Sequence, residues 1–62
     1  MEERFDVAVY SYRSGWHWRI YDKKTGIVYV NRRVYRSRED AERDAQMKLR
    51  ILLEVEKLGG KV

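Results

Sequence analysis

The chain has 62 residues with a formal net charge of +4, and it contains no Cys, no Pro and a single His. That composition excludes disulfides, thiolate metal sites and any site built from paired histidines, and absent cysteine leans towards a reducing, intracellular (cytoplasmic) setting. No apolar run is long enough to span a membrane, and the charged start Met1-Glu2-Glu3-Arg4 leads us to expect no signal peptide.

The length suits one small domain, residues 1–62, whose core must be economical because a chain this short buries only about 60% of its unfolded surface. Two Trp, five Tyr and one Phe answer that need. The charge is uneven. Residues 1–36 carry eight basic and four acidic residues, whereas residues 37–62 are balanced at six and six. The whole excess sits on the first half, a pattern that suits a polyanionic partner.

Phe5-Asp6-Val7-Ala8-Val9-Tyr10-Ser11-Tyr12 alternates and is rich in β-formers, so residues 5–12 read as a first strand with Phe5, Val7 and Val9 towards the core. Tyr10 and Tyr12 fall on the other face. Arg13-Ser14-Gly15 reads as a three-residue hairpin loop with Gly15 in the left-handed position. The second strand, 16–22, lies within Gly15-Trp16-His17-Trp18-Arg19-Ile20-Tyr21-Asp22. Successive side chains of a strand point to opposite faces, which puts Trp16, Trp18 and Ile20 on the core side and His17, Arg19 and Tyr21 on the other.

Asp22-Lys23-Lys24-Thr25-Gly26 is a strong turn signal, with Asp able to bond the backbone ahead of it and Gly supplying a positive φ. It leaves Lys23 and Lys24 at the tip. A third strand follows over about 27–35, with Val28 and Val30 expected inward and Tyr29 and Asn31 outward. Arg32-Arg33 breaks the alternation and points to a bulge or a break, because an unpaired buried Arg is costly.

Ser37-Arg38-Glu39-Asp40 opens a helix over about 38–58: the Ser37 hydroxyl can cap the first turn, Asp40 can reach back, and the acids sit at the positive end of the helix dipole. Gly59-Gly60 ends it. Glu39–Arg43 and Asp44–Lys48 are expected as solvent-side pairs. Ala41, Ala45, Leu49 and Leu52 form the core stripe, with small residues first so that the helix can approach the sheet. Ile51, Leu53, Val55 and Leu58 exceed what a three-stranded sheet can cover. They are either left partly exposed around a simple helix core or used as the interface of a homodimer or another protein partner.

The expected fold is therefore α+β, in the order β-β-β-α, a three-stranded antiparallel sheet packed on one face by a long C-terminal helix. Its open face collects Tyr10, Tyr12, His17, Arg19, Tyr21, Tyr29 and Asn31, with Arg13, Lys23, Lys24, Arg32 and Arg33 around the edges. Basic groups neutralise phosphates and release counterions. Arg and Asn can read base edges in a major groove, and Tyr rings can stack on unpaired bases. The competing reading is a solvated sheet face whose Tyr, Arg and His pair across strands for stability.

No catalytic constellation is evident. His17 has no Ser or Asp at a suggestive spacing, and a cross-strand or phosphate contact suits it better. Glu39, Asp40, Glu42 and Asp44 spread around the helix rather than converging on a metal, and the four glycines are too scattered to cradle a phosphate. We expect a binding module rather than an enzyme, with no cofactor and no metal.

Three stretches carry a family resemblance: Gly15-Trp16-His17-Trp18-Arg19-Ile20, the turn ending in Gly26, and Tyr35-Arg36-Ser37-Arg38-Glu39-Asp40-Ala41-Glu42-Arg43-Asp44-Ala45. Over about 35 residues this pattern resembles the three-stranded, one-helix DNA-binding domains of plant ethylene-response factors and the arm-binding domain of tyrosine-type integrases. Such domains lay their open sheet face in the major groove. The resemblance implies contacts from Arg19, with Arg13 and Arg32-Arg33 nearby. The first strand here carries no Arg, unlike that of the plant domains. The same fold occurs in small phage or viral proteins that bind host proteins. The resulting expectation is a small basic nucleic-acid-binding module for double-stranded DNA, with contacts from Arg13, Arg19, Tyr21, Lys23, Lys24, Arg32 and Arg33. The alternative is a protein-interaction or inhibitory module using Ile51, Leu53, Val55 and Leu58 or the aromatic sheet face.

Overall fold

The period-two alternation of the first half and the capped 3.6-residue pattern of the second resolve into four elements. In the computed structural model, which describes residues 3–59, these are β1 (Phe5–Tyr12), β2 (Gly15–Asp22), β3 (Val28–Val30) and α1 (Arg38–Gly59). The strands form one antiparallel sheet in the order β1-β2-β3, and α1 packs on one face against β1 and β2. The fold is α+β, as expected. Gly60, half of the expected helix stop, lies outside the described residues.

The inward faces of β1 and β2 are those read from the alternation. Phe5, Trp18, Ile20, Ala41 and Ala45 are buried, with Val7, Val9, Trp16, Tyr35, Leu49 and Leu52 packed around them. Ala41 and Ala45 have no exposed surface, so α1 approaches β2 with nothing larger than a methyl group between backbone and sheet.

The third strand differs from expectation in length and in face. β3 has three residues rather than nine, and Ile20 pairs with Tyr29. Paired residues share a face, so Tyr29 turns inward and Val28 and Val30 turn out, 53% and 59% exposed. Asp22 N–H donates to Ile27 C=O across the turn, at 2.8 Å, and that closure sets the parity of the whole strand. Lys48 Nζ lies 5.4 Å from the Tyr29 ring centroid, a cation–π contact from helix to strand. The break at Arg32-Arg33 occurs. The chain leaves the ladder after Val30 and returns at Tyr35, which pairs with Trp16. Both arginines are exposed in the intervening loop. At the exit, Asn31 Oδ1 accepts from Trp18 N–H at 3.3 Å, a side-chain carbonyl taking the place of a backbone one.

The first hairpin also differs. Arg13 and Ser14 both have positive φ, 51° and 64°, making a two-residue turn of the mirror-image kind that suits strand twist. Gly15 pairs with Tyr12 inside the ladder, and its conformation is not the reason for glycine. A Cβ there would run into the Val34 side chain, so Gly15 serves the close approach of the returning loop.

Two carboxylates carry structural work beyond the turn and solvent-side roles expected of them. Asp22, 2% exposed, accepts from Arg4 Nε and Nη2, both at 2.9 Å, and from the backbone N–H of Lys24 and Thr25 within its own turn. Arg4 also meets Glu56 at 3.2 Å, tying the start of β1 to the far end of α1. The Arg4 guanidinium holds the Asp22 carboxyl well below the usual carboxylate range. A depressed carboxylate stabilises the fold above its unfolded value, near about 3.9, and loses that contribution as pH falls below it. The fold should therefore weaken from about pH 4 downward. Thermal melts of Asp22→Asn should show a flatter dependence between neutral and acid pH than the wild type; parallel curves would reject the assignment.

The Ser37 cap forms, its Oγ accepting from Asp40 N–H at 3.2 Å. The expected Glu39–Arg43 and Asp44–Lys48 pairs give way to Arg38–Glu42 at 3.2 Å and Asp40–Arg43 at 4.0 Å. Asp44 is withdrawn from the solvent side because it points at the sheet. Its Oδ2 accepts from the Trp18 indole N–H at 2.9 Å and from the Tyr35 hydroxyl. Burial, then the Asp44 carboxylate, push the Tyr35 hydroxyl pKa above its ordinary value.

Candidate nucleic-acid interface

The sheet face opposite α1 is built by the register. Across it run three rows: Asp6, Tyr21 and Val28; Ala8, Arg19 and Val30; and Tyr10 with His17, closed at the hairpin end by Tyr12. Arg19 stands at the centre, exposed between the short Ala8 and Val30 side chains. Among the described residues it has no hydrogen-bond or ion-pair partner, whereas Arg4, Arg38 and Arg43 are each engaged by a carboxylate. Tyr21, 41% exposed, lies beside it on the strand.

Towards the hairpin tip the aromatic residues cluster. Tyr10 stacks on His17 with ring centroids 5.5 Å apart, and Tyr12 meets His17 edge-on at 6.2 Å. Arg13 lies over the Tyr12 ring and its Nε donates to the Tyr12 hydroxyl at 3.1 Å. Asn31 fixes the other side of His17. Its Oδ1 is occupied by Trp18 N–H and its Nδ2 donates to Arg33 C=O, so the amide can face His17 only as a donor. His17 Nδ1, 3.1 Å away, accepts, which leaves Nε2–H as a second donor beside Arg19.

The sequence-predicted contacts divide into two groups. Arg13, Arg19, Tyr21, Lys23 and Lys24 follow one hairpin, Arg13 at one end of β2 and the lysines at the other, roughly 25–30 Å apart by strand rise. Lys23 and Lys24 share a shallow depression with Glu3, Arg4 and Glu56, so the Arg13–Arg19 end is the more purely cationic. Arg32 and Arg33 instead line a groove of about 420 Å³ on the helix side, with Trp18, Tyr35, Met47 and Lys48. Tyr29 leaves the open face altogether. Of the candidate interface residues on α1, Ile51, Val55 and Leu58 share one flank, while Leu53, two positions from Ile51, points away from them by helix geometry. All four are exposed.

Sequence reasoning found Asp22 as a turn residue but not its ion pair with Arg4, and it placed Asp44 on the solvent side rather than against Trp18 and Tyr35. The available signal was the partner that a buried Trp indole or Tyr hydroxyl demands. Among the described residues no three His, Cys, Asp or Glu side chains converge as metal ligands, and no helix is long and apolar enough to cross a membrane. No protein-family model, curated protein or solved structure matches the chain.

The positive φ of Arg13 and Ser14 is itself informative. Non-glycine residues held there cost roughly 1 kcal/mol or more each, and Asn-Gly is the relaxed choice for this turn. The combined change Arg13→Asn and Ser14→Gly should raise the unfolding free energy by about 1 kcal/mol. If the tip contacts a polyanion, the same variant should bind it more weakly. Thermal melts and a binding titration on one sample measure both signs.

Proposed function

We propose that this chain is a nucleic-acid-binding module that lays its open sheet face on duplex DNA, with Arg19 at the centre and Arg13, Lys23 and Lys24 at the two ends of the same hairpin. The observation that carries the reading is Arg19: an exposed guanidinium, unpartnered among the described residues, in the middle of the face opposite the helix. An unpaired arginine there has its full donor set to offer phosphates or guanine edges, and strands can enter a major groove. The rings of Tyr10, Tyr12 and His17 pack on one another rather than standing apart as platforms, which favours a duplex over unpaired bases. The resemblance to sheet-face DNA-binding domains agrees in placing Arg19 on the second strand. Absent cysteine suits an intracellular place of action.

Chemical-shift mapping of the labelled protein with a short mixed-sequence duplex tests this directly. Shifts should concentrate on amides of β1 and β2 and their two turns, and spare residues 41–58 of α1. Shifts confined to α1, or none at saturating duplex, would reject the reading.

A further inference from the structure

Among the described residues, nothing covers one flank of α1. Met47, Ile51, Val55 and Leu58 recur at spacings of four, four and three, which places them along one side of a helix. They are 57%, 55%, 59% and 67% exposed, and the stripe is distinct from the one that packs on the sheet through Ala41, Ala45, Leu49 and Leu52. Met47 and Ile51 also form a wall of the groove of about 420 Å³ whose other side includes Val30 and Trp18, so the apolar stripe continues into an open concavity. Four large apolar side chains on successive turns beside a groove exceed the scattered exposure expected of a monomer surface.

We propose that this flank is the interface of a homodimer, the stripe of one copy packing antiparallel on the same stripe of a second copy about a two-fold axis. Three observations select a second copy as the occupant. The stripe can meet itself, since both of its ends carry large exposed apolar side chains and pairing end-to-end sets Val55 and Leu58 of each copy against Met47 and the groove of the other. It is also self-complementary in charge. Arg50 and Glu54 follow each other one turn apart on the same edge of the stripe, and neither has an ion-pair partner among the described residues. A two-fold antiparallel pair sets Glu54 of each copy against Arg50 of the other. Finally, α1 packs on β1 and β2 through a different stripe, so two copies can meet along this flank without displacing the sheet. The net charge of +4 per copy opposes association at low ionic strength, and salt screens that repulsion. The proposal stands on α1 alone and does not depend on nucleic-acid binding, although a dimer would present two sheet faces.

Sedimentation equilibrium of the full chain without nucleic acid, from micromolar to near-millimolar concentration in about 0.5 M salt, reads the outcome. The expected result is a mass rising with concentration from 7.6 kDa to twice that value. Ile51→Lys should remain monomeric throughout with an unchanged circular dichroism spectrum, while Leu53→Lys should still dimerise. Arg50→Glu should weaken the dimer roughly fivefold, and Arg50→Glu with Glu54→Arg should restore it. A wild type monomeric at the highest concentration overturns the proposal and leaves the stripe to a different partner. A dimer that Ile51→Lys leaves intact also overturns it, as does a charge swap that fails to restore association.

Discussion

Asp44→Ala should lower the unfolding free energy by about 2–4 kcal/mol, the largest loss we expect from a single polar substitution here. The carboxylate sits at the junction of helix and sheet and accepts from two aromatic donors at once, the Trp18 indole N–H and the Tyr35 hydroxyl. Trp18 is 3% exposed and its indole N–H is bound to this carboxylate, so removing the acceptor leaves a donor unpaired in a largely buried residue. A buried donor without a partner costs about 1–3 kcal/mol. The Tyr35 hydroxyl, in a half-buried residue, loses its bond as well. For a domain of this size the melting temperature shifts by roughly 4–8 °C per kcal/mol, so thermal melts should place Asp44→Ala at least about 8 °C below the wild type. Asp44→Asn keeps a carbonyl acceptor and should lose about half as much. An Asp44→Ala protein as stable as the wild type would show that the carboxylate is dispensable.

The second large effect concerns binding and leaves stability alone. Arg19→Glu should weaken binding to a mixed-sequence duplex by at least about tenfold at roughly 0.1 M salt, because losing one phosphate contact alone is worth nearly that factor and the new carboxylate adds repulsion. Arg19 is exposed and has no hydrogen-bond or ion-pair partner among the described residues, so the unfolding free energy should stay within about 0.5 kcal/mol of the wild type. Arg43→Glu on α1 makes the same change in net charge away from the open face. It separates a located site from a general charge effect and should cost less than about threefold. Equal losses from the two variants would mean that only net charge matters.

Much of the fold is legible because one face of each long strand must be buried. Trp16, Trp18 and Ile20 alternate with His17, Arg19 and Tyr21, and only one register hides the larger apolar set. The Ser37 cap is equally local. β3 is not legible in this way, because Val28-Tyr29-Val30 is apolar or aromatic at every position and either face could turn inward. Its parity is fixed by the Asp22–Ile27 closure of the preceding turn and by Lys48 on a distant helix turn, neither of which the segment itself encodes. The first hairpin misleads for a related reason. Gly15 stands where a three-residue loop would need it, yet it is required by contact with Val34, nineteen positions on.

The candidate surface was legible to a similar degree. Arg13, Arg19, Tyr21, Lys23 and Lys24 share one hairpin, and hairpin geometry is local. Arg32 and Arg33 depend on where the loop after β3 runs, and it runs along the helix side. Asp44 is hidden from sequence reasoning by its neighbours, since an acid four residues before Lys48 reads as a solvent-side pair. Its place beside the buried Ala45 gives it instead to Trp18 and Tyr35.

The salt dependence of duplex binding tests the sheet-face assignment most directly. Anisotropy titrations of a labelled mixed-sequence duplex between about 50 and 300 mM salt report the number of phosphates neutralised. Four contacts from Arg13, Arg19, Lys23 and Lys24 require a slope of log affinity against log salt of about −3.6. Arg19→Ala should make that slope shallower by about 1. A flat dependence, or no binding at the lowest salt, would contradict nucleic-acid recognition by this face.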